Sequence, residues 1–497
     1  MGVSAGCGGR LRRSLKPLRG DGMENFLYRL EQAVWSFPML VLILGTGLYL
    51  TLRLRFMTLR RLPEAMGLLF RSGRSGGVSA LGALCTSLSA TVGTGNIVGV
   101  ATALALGGPG ALLWMEVSAA IGMAVKYAEG YFAVLYRSRA ADGSLHGGPF
   151  AYISLGLGPG FRPLAAAFAL FGAMAGLCGV GTFVQVGSVC ACLTGYLEGL
   201  GRSLHSVPVL GRSVPVSAVI LGLVFTVSAG LLIFGGIRRI SRVSTVLMPA
   251  MGGLYVLCCL WILVSRCAEL PGTILQILCG AVRPSAAAGG LLGAMTAGVS
   301  RGVFSNEAGL GTAPIAAAAA ENVTPREQGL ISMTASVFDT FLICTLTGLS
   351  LLLTGTGGLG VTAAMDTFAR GLPLPGALSR GLVLLCLALF SFTTVVGWSF
   401  YGAECLRYLV GDRPKLRTVY LSLYLLTVSA APCFPVQSLW EAANICNGLM
   451  AVPNLIGILL LSPRLPREAT SPDRRARRSR RTGRRLRSRR PAPVRQS

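Results

Sequence analysis

The stretch TVGTGNIVGVATALALGGPG, Thr91 to Gly110, decides how the whole chain is read. It holds no charge, yet six glycines, three threonines and an asparagine interrupt its apolar residues. In lipid each unpaired backbone group costs several kcal/mol, so irregular backbone survives only where protein shields it or a wet cavity borders it. Gly93, Gly95 and Gly99 therefore have two readings. Small residues four apart let helices pack closely, and Gly95 with Gly99 fit that spacing. Alternatively the segment is unwound, and its free carbonyls and amides grip an ion and a zwitterion.

The surroundings of that stretch are membranous. Of 497 residues, 52% are hydrophobic and 13% charged, whereas in soluble domains roughly a quarter of positions are charged. Apolar runs long enough to cross about 30 Å of hydrocarbon as helices lie near 35–52, 78–107, 111–136, 163–198, 214–234, 244–265, 286–320, 328–354, 380–404, 418–435 and 440–461. The expectation is an all-α membrane protein of eleven transmembrane helices, the second, fourth and seventh runs being long enough to contain bends. Alternating ten-residue segments, the mark of a spanning β-barrel, are absent.

The net charge of +26 sits mostly outside these runs. After Pro463 there are fourteen arginines against Glu468 and Asp473, in a low-complexity tail without apolar periodicity. Residues 464–497 read as a disordered cytoplasmic tail lying on anionic lipid, in preference to a nucleic-acid arm. Alternate loops carry 17 lysines and arginines on one side, among them Arg53, Arg137, Arg238, Arg326 and Arg407, against six on the other. The excess of basic residues marks the cytoplasmic side, so the C-terminus is expected inside and, with eleven spans, the N-terminus outside. The basic head, residues 1–23, disagrees with that orientation, and translation from Met23 would remove it. No apolar core or cleavage site follows the head's basic residues directly, which excludes a signal peptide. The fourteen cysteines fall nearly all within apolar runs, where cysteine acts as a small hydrophobe. His146 and His205 stand far apart, leaving neither a metal site nor a Cys/His pair.

A second stretch tips the choice between packing and unwinding. SRGVFSNEAGLGTAPIAAAAA, Ser300 to Ala320, again sets glycines, a proline and polar residues inside an apolar run, with Arg301 and Glu307. Ionisable residues in the membrane are functional candidates by default. The interrupted runs are the second and the seventh. With the first run as an addition, runs two to six and seven to eleven form two five-helix halves, each broken in its first helix. That is the pattern of an inverted-repeat transporter with its site at mid-membrane.

GTGNIVGVATALALGGPGALLW, GGPFAYI from Gly147, SRGVFSNEAGLGTAPIAAAAA, FDTFLICTLTG, GWSFYG from Gly397 and NGLMAVPNLIGILLLS from Asn447 resemble the alanine or glycine:cation symporter family over residues 24–463. The resemblance implies a leucine-transporter-like five-plus-five inverted repeat with one extra N-terminal helix. It also implies alternating access and uptake of alanine or glycine driven by sodium, in a cell (inner) membrane. Carried over by motif, Thr91, Gly93, Gly95 and Asn96 form the first broken helix and meet the substrate carboxylate. Gln185 matches a glutamine near substrate, while Thr182 replaces a nearby asparagine of the family. Phe304, Ser305 and Asn306 supply the facing wall, and Trp398 a lid. The resemblance assigns sodium to the hydroxyls of Thr393 and Thr394 and the carbonyls of Ser89 and Val92.

Each assignment has a structural rival. Membrane threonines commonly bond their own helix backbone, Gln185 could bridge helices, and tryptophan often fills packing. Glu307 reads as a cap of the unwound turn, and Asp339 as a proton site should coupling not be to sodium. Lys126 and Glu129 read as a neutralising pair or as a lysine reaching the inner boundary. No catalytic constellation or phosphate loop appears, so an enzyme is not expected, and no cofactor beyond the coupling ion. The remaining alternative is a proton-coupled carrier of another small neutral solute.

Overall fold

The computed structural model describes residues 22–71, 77–140, 143–202, 205–209, 212–282, 290–356, 360–434 and 436–466. The readings of the basic head and of the arginine-rich tail fall almost wholly outside the described residues. Nine helices among those described are long and apolar enough to cross a membrane: Asn25–Arg53, Gly110–Leu135, Pro159–Gly199, Val216–Ile233, Gly236–Ser265, Pro325–Leu353, Gly376–Val410, Pro414–Cys433 and Trp440–Arg464. A further crossing is the pair Ala80–Thr91 and Gly95–Gly107, bent by 55°. The run at 286–320 is interrupted too, at the glycines and polar residues that mark it in the sequence. It forms Gly290–Asn306 and Ala313–Ala318, and at 1.5 Å per residue neither piece alone reaches across about 30 Å of hydrocarbon.

Local chemistry sets these boundaries. Ser79 caps the first interrupted helix by accepting the Gly82 amide at 3.0 Å. Thr324 and Glu327 form a capping box ahead of the Pro325–Met333 helix, with proline at its first position. Burial then sorts the spans. In Val216–Ile233 only 28% of the apolar window is buried, against 67% in Gly110–Leu135. The outer helices therefore face lipid through residues such as Leu223, Val227 and Leu231. The central ones carry the buried polar side chains, among them Glu129, Asp339, Thr394 and Asn454. Lys126 is 1% exposed and bears electrostatically on Glu129, Glu307 and Asp339. It belongs to this interior.

The two faces of the bundle differ. On one, the Glu321 amide donates to Val78 O at 2.8 Å, joining the start of the first interrupted span to the end of the second. Arg137 donates to Ala318 O at 3.1 Å and also to Ala320 O, and His146 Nδ1 lies 2.8 Å from Glu404 Oε2. On the other face two cavities, of about 260 and about 450 Å³, descend between the helices to Phe304 and to Val98, Gly99 and Ser188.

Candidate substrate and cation site

The first break follows from where its amides go. In a continuous helix Gly93 N would donate to Ser89 O and Thr94 N to Ala90 O. Instead Gly93 N donates to Asn96 Oδ1 at 3.0 Å and Thr94 N to Gln185 Oε1 at 3.2 Å. Asn96 N turns to Gly93 O at 3.3 Å, so Val92 O also loses its helical partner. The freed carbonyls point at one hydroxyl: Thr394 Oγ1 lies 3.2 Å from Ser89 O and 3.4 Å from Val92 O, and 3.0 Å from Phe390 O of its own helix. Three oxygens thus meet at the first break, a donor type that hard cations take. The donor set is all oxygen, which suits such a cation.

Glycine is required where this cluster is tightest. A Cβ on Gly93 would stand 2.7 Å from Thr394 Oγ1 and 3.0 Å from Gln185 Oε1. Gly95 faces the second interrupted span, with Phe304 Cδ1 at 3.3 Å from its Cβ position. Around Gly99 that position is open, and Gly99 lines the larger cavity. Close packing therefore explains Gly93 and Gly95 but not Gly99.

Asp339 links the two interrupted spans. Asn96 Nδ2 donates to its Oδ1 at 2.7 Å, and Ser305 Oγ and Thr340 Oγ1 donate to its Oδ2 at 3.1 and 3.0 Å. Asp339 lies in Val337–Cys344, a π-helical stretch, and Asn96 lies in another, Gly95–Gly99. Such wide turns recur at functional sites because they re-aim side chains and free carbonyls.

The second break is held differently. Asn306 Oδ1 accepts from Ala308 N at 2.9 Å, and Thr312 donates its hydroxyl to Glu307. Glu129 Oε1 accepts from Gly311 N at 3.2 Å and from Asn454 Nδ2 at 2.8 Å. Asn454 Nδ2 also reaches Gly309 O at 2.9 Å, and Tyr152 donates its hydroxyl to Asn454. Glu307, Gly309 and Gly311 all adopt left-handed backbone, with φ of 53°, 88° and 81°.

The residues singled out in the sequence are thus brought together unevenly. Ser89, Val92, Gly93, Asn96, Gln185 and Thr394 form one cluster, with Gly95, Phe304 and Ser305 beside it. Thr91 bonds back to Ser87 O at 3.2 Å. Thr393 bonds back to Phe390 O at 2.9 Å and faces Met251 Sδ at 3.6 Å, away from the carbonyl pair. Trp398 is fully buried, its ring 5.8 Å from that of Tyr401. Asn306 spends its oxygen on the second break. Sequence reasoning misses Asn454 and Glu129 as its braces and Trp440 as the neighbour of Phe304, with ring centres 4.9 Å apart. A polar side chain within an apolar run is the available signal for the first two, but it names no partner.

Comparison with known proteins places this geometry. A profile of the sodium:alanine symporter family matches residues 20–482. The chain is 44% identical over 448 residues to an uncharacterised transporter of Haemophilus influenzae, covering 88% of this chain and 93% of that one. It is 40% identical over 444 residues to the sodium/alanine symporter AgcS of Methanococcus maripaludis, covering 86% and 92% respectively. Its fold is similar to that of MhsT in complex with L-phenylalanine, a transporter of the leucine-transporter-like fold. That match has a TM-score of 0.56 at 16% identity and covers 78% of this chain and 90% of that one. A multi-pass helical chain with two interrupted spans meeting at a buried polar cluster, matched over nearly its whole length by this profile, belongs to the sodium:alanine symporter family.

Proposed function

We propose that the protein is a secondary active symporter that imports alanine, glycine or both, coupled to an inward sodium gradient by alternating access. The observation that carries this reading is the Thr394 hydroxyl set against the freed carbonyls of Ser89 and Val92. The carbonyl end of Ala80–Thr91 is the negative end of a helix dipole and favours a cation. The helix resuming at Gly95 presents its positive end and favours a carboxylate. Sodium and a small zwitterion are then held side by side, as in other inverted-repeat carriers. In this assignment Ser89, Val92 and Thr394 belong to sodium, while the Thr393 hydroxyl, turned to Met251 Sδ, stands outside the shell. Thr91, Gly93, Gly95, Asn96, Gln185, Phe304, Ser305 and Asn306 border the substrate, and Trp398 closes the pocket.

Counting Gly290–Asn306 with Ala313–Ala318 as one crossing makes eleven spans. The basic loops and tail then lie in the cytoplasm and the N-terminus outside, in a cell (inner) membrane. Residues 24–463 are the transport domain, 1–23 a basic extension that a start at Met23 would omit, and 464–497 a tail on anionic lipid. The face sealed by Val78–Glu321, Arg137 and His146–Glu404 is the cytoplasmic one, and inward opening breaks those contacts. Uptake of labelled alanine and glycine into proteoliposomes under a sodium gradient tests the reading, and uptake indifferent to sodium overturns it. The second reading, proton coupling with another small neutral solute, draws on the buried Asp339 carboxylate between the two spans. Uptake driven by a proton gradient alone, and lost in Asp339→Asn, would select it.

A further inference from the structure

The open face holds a charged feature that this mechanism does not use. Both cavities there are lined by Glu31, Arg301 and Asn444. Arg301 lies on Gly290–Asn306, inside an apolar run, and its guanidinium stands 5.7 Å from the centre of the Trp440 ring. Among the described residues it makes no ion pair and donates no hydrogen bond. A guanidinium has five N–H donors and no acceptor, and a cation–π contact satisfies none of them directionally. A planar anion is the partner that guanidinium geometry matches two bonds at a time.

The opposite charge stands on the additional N-terminal helix. Glu31 lies on Gly22–Val34, and its Oε1 accepts from Asn444 Nδ2 at 2.5 Å. Trp35 Nε1 donates to Asn444 O at 2.9 Å, fastening that helix to the last span. Glu31 acts electrostatically on Arg301 without pairing with it. The larger cavity, about 450 Å³, falls within the roughly 300–1,000 Å³ typical of small-molecule sites. Below it the Trp440 ring packs at a tilt of 38° against Phe304, which faces Gly95, so one aromatic layer separates this space from the first break.

We propose that Arg301 and Glu31 form an outer binding station for zwitterionic α-amino acids, carboxylate on Arg301 and ammonium on Glu31, occupied before the substrate passes the Phe304–Trp440 layer. The station rests on the reading of the protein as a small amino-acid carrier. The additional helix supplies the carboxylate that both cavities share, and Glu441 of the last span adds a second to the larger one.

Equilibrium binding of labelled alanine to the purified full chain in sodium tests it, with the bound stoichiometry as the readout. Two sites per chain are expected, falling to one in Arg301→Gln and in Glu31→Gln, the latter on a peripheral helix where a folding defect is least expected. Propionate, which keeps only the carboxylate, is expected to compete poorly at the site those variants remove. One site in native and variant protein alike overturns the outer station while leaving the transport reading intact. Absence of any bound amino acid overturns both. Propionate competing as well as alanine overturns the part given to Glu31, reducing the station to an anion site.

Discussion

The two breaks solve one physical problem in opposite ways. At Val92–Thr94 the orphaned amides are taken by two side chains, Asn96 and Gln185, and the carbonyls are left facing Thr394. At Glu307–Thr312 the backbone itself turns left-handed, and a fixed framework of Glu129, Asn454 and Tyr152 holds it. The first break turns two main-chain acceptors toward a single hydroxyl, whereas the second is braced by side chains from three other helices. The difference teaches that interrupted helices in one membrane protein need not share a task. In the proposed reading one is a ligand surface, and the other a support that sets where Phe304 and Ser305 stand.

Substitutions can break or sharpen that contrast. The largest effect is expected at the support. Gly311→Ala would force a side chain onto φ +81° with Phe168 Cε2 and Pro149 Cγ each 2.7 Å from its Cβ. It should destabilise the fold by about 3 kcal/mol or more, seen as lost thermal stability in detergent. Gly99→Ala, with open space around its Cβ, should change stability by less than about 0.5 kcal/mol in the same assay. Comparable losses at both glycines would abolish the distinction between support and surface.

At the ligand surface the expected effects are on sodium, not on folding. Gly93→Ala displaces the Thr394 hydroxyl and should raise the sodium needed for half-maximal uptake by about a hundredfold, or about 2.7 kcal/mol. Thr394→Ala, which removes one ligand and leaves the carbonyls, should raise it by about tenfold, or about 1.4 kcal/mol, with Thr394→Ser restoring most of it. Thr393→Ala should move it by less than about twofold: both hydroxyls bond back to Phe390 O, but that of Thr393 otherwise faces Met251 Sδ and not the carbonyl pair. Equal responses at the two threonines would assign both to the ion and undo the geometric argument.

Much of this contrast is legible in the amino-acid sequence itself. Polar and flexible residues inside apolar runs announce both breaks, because lipid tolerates such residues only for a reason. The pairing of Thr394 with Ser89 and Val92, implied by family resemblance, is a contact in the fold. Other parts are not legible. The resemblance directs Asn96 toward a carboxylate from solution, but its side chain is engaged by Gly93 N and Asp339. Asn454 is 145 residues from the Gly309 carbonyl it holds, and no local pattern carries information across that separation.

The amino-acid sequence alone determined that the chain is membrane-embedded, that two of its crossings are interrupted, and that oxygen donors and small residues gather at those interruptions. These follow from the energy of polar groups in hydrocarbon, which acts residue by residue. Only the tertiary structure decided which donors converge. Thr393 and Thr394 are the same residue side by side, yet a helix turns about 100° per residue, sending one hydroxyl to Met251 and the other to the freed carbonyls. Which backbone groups go unpaired, and what they meet, depends on neighbours that the chain brings in from far away.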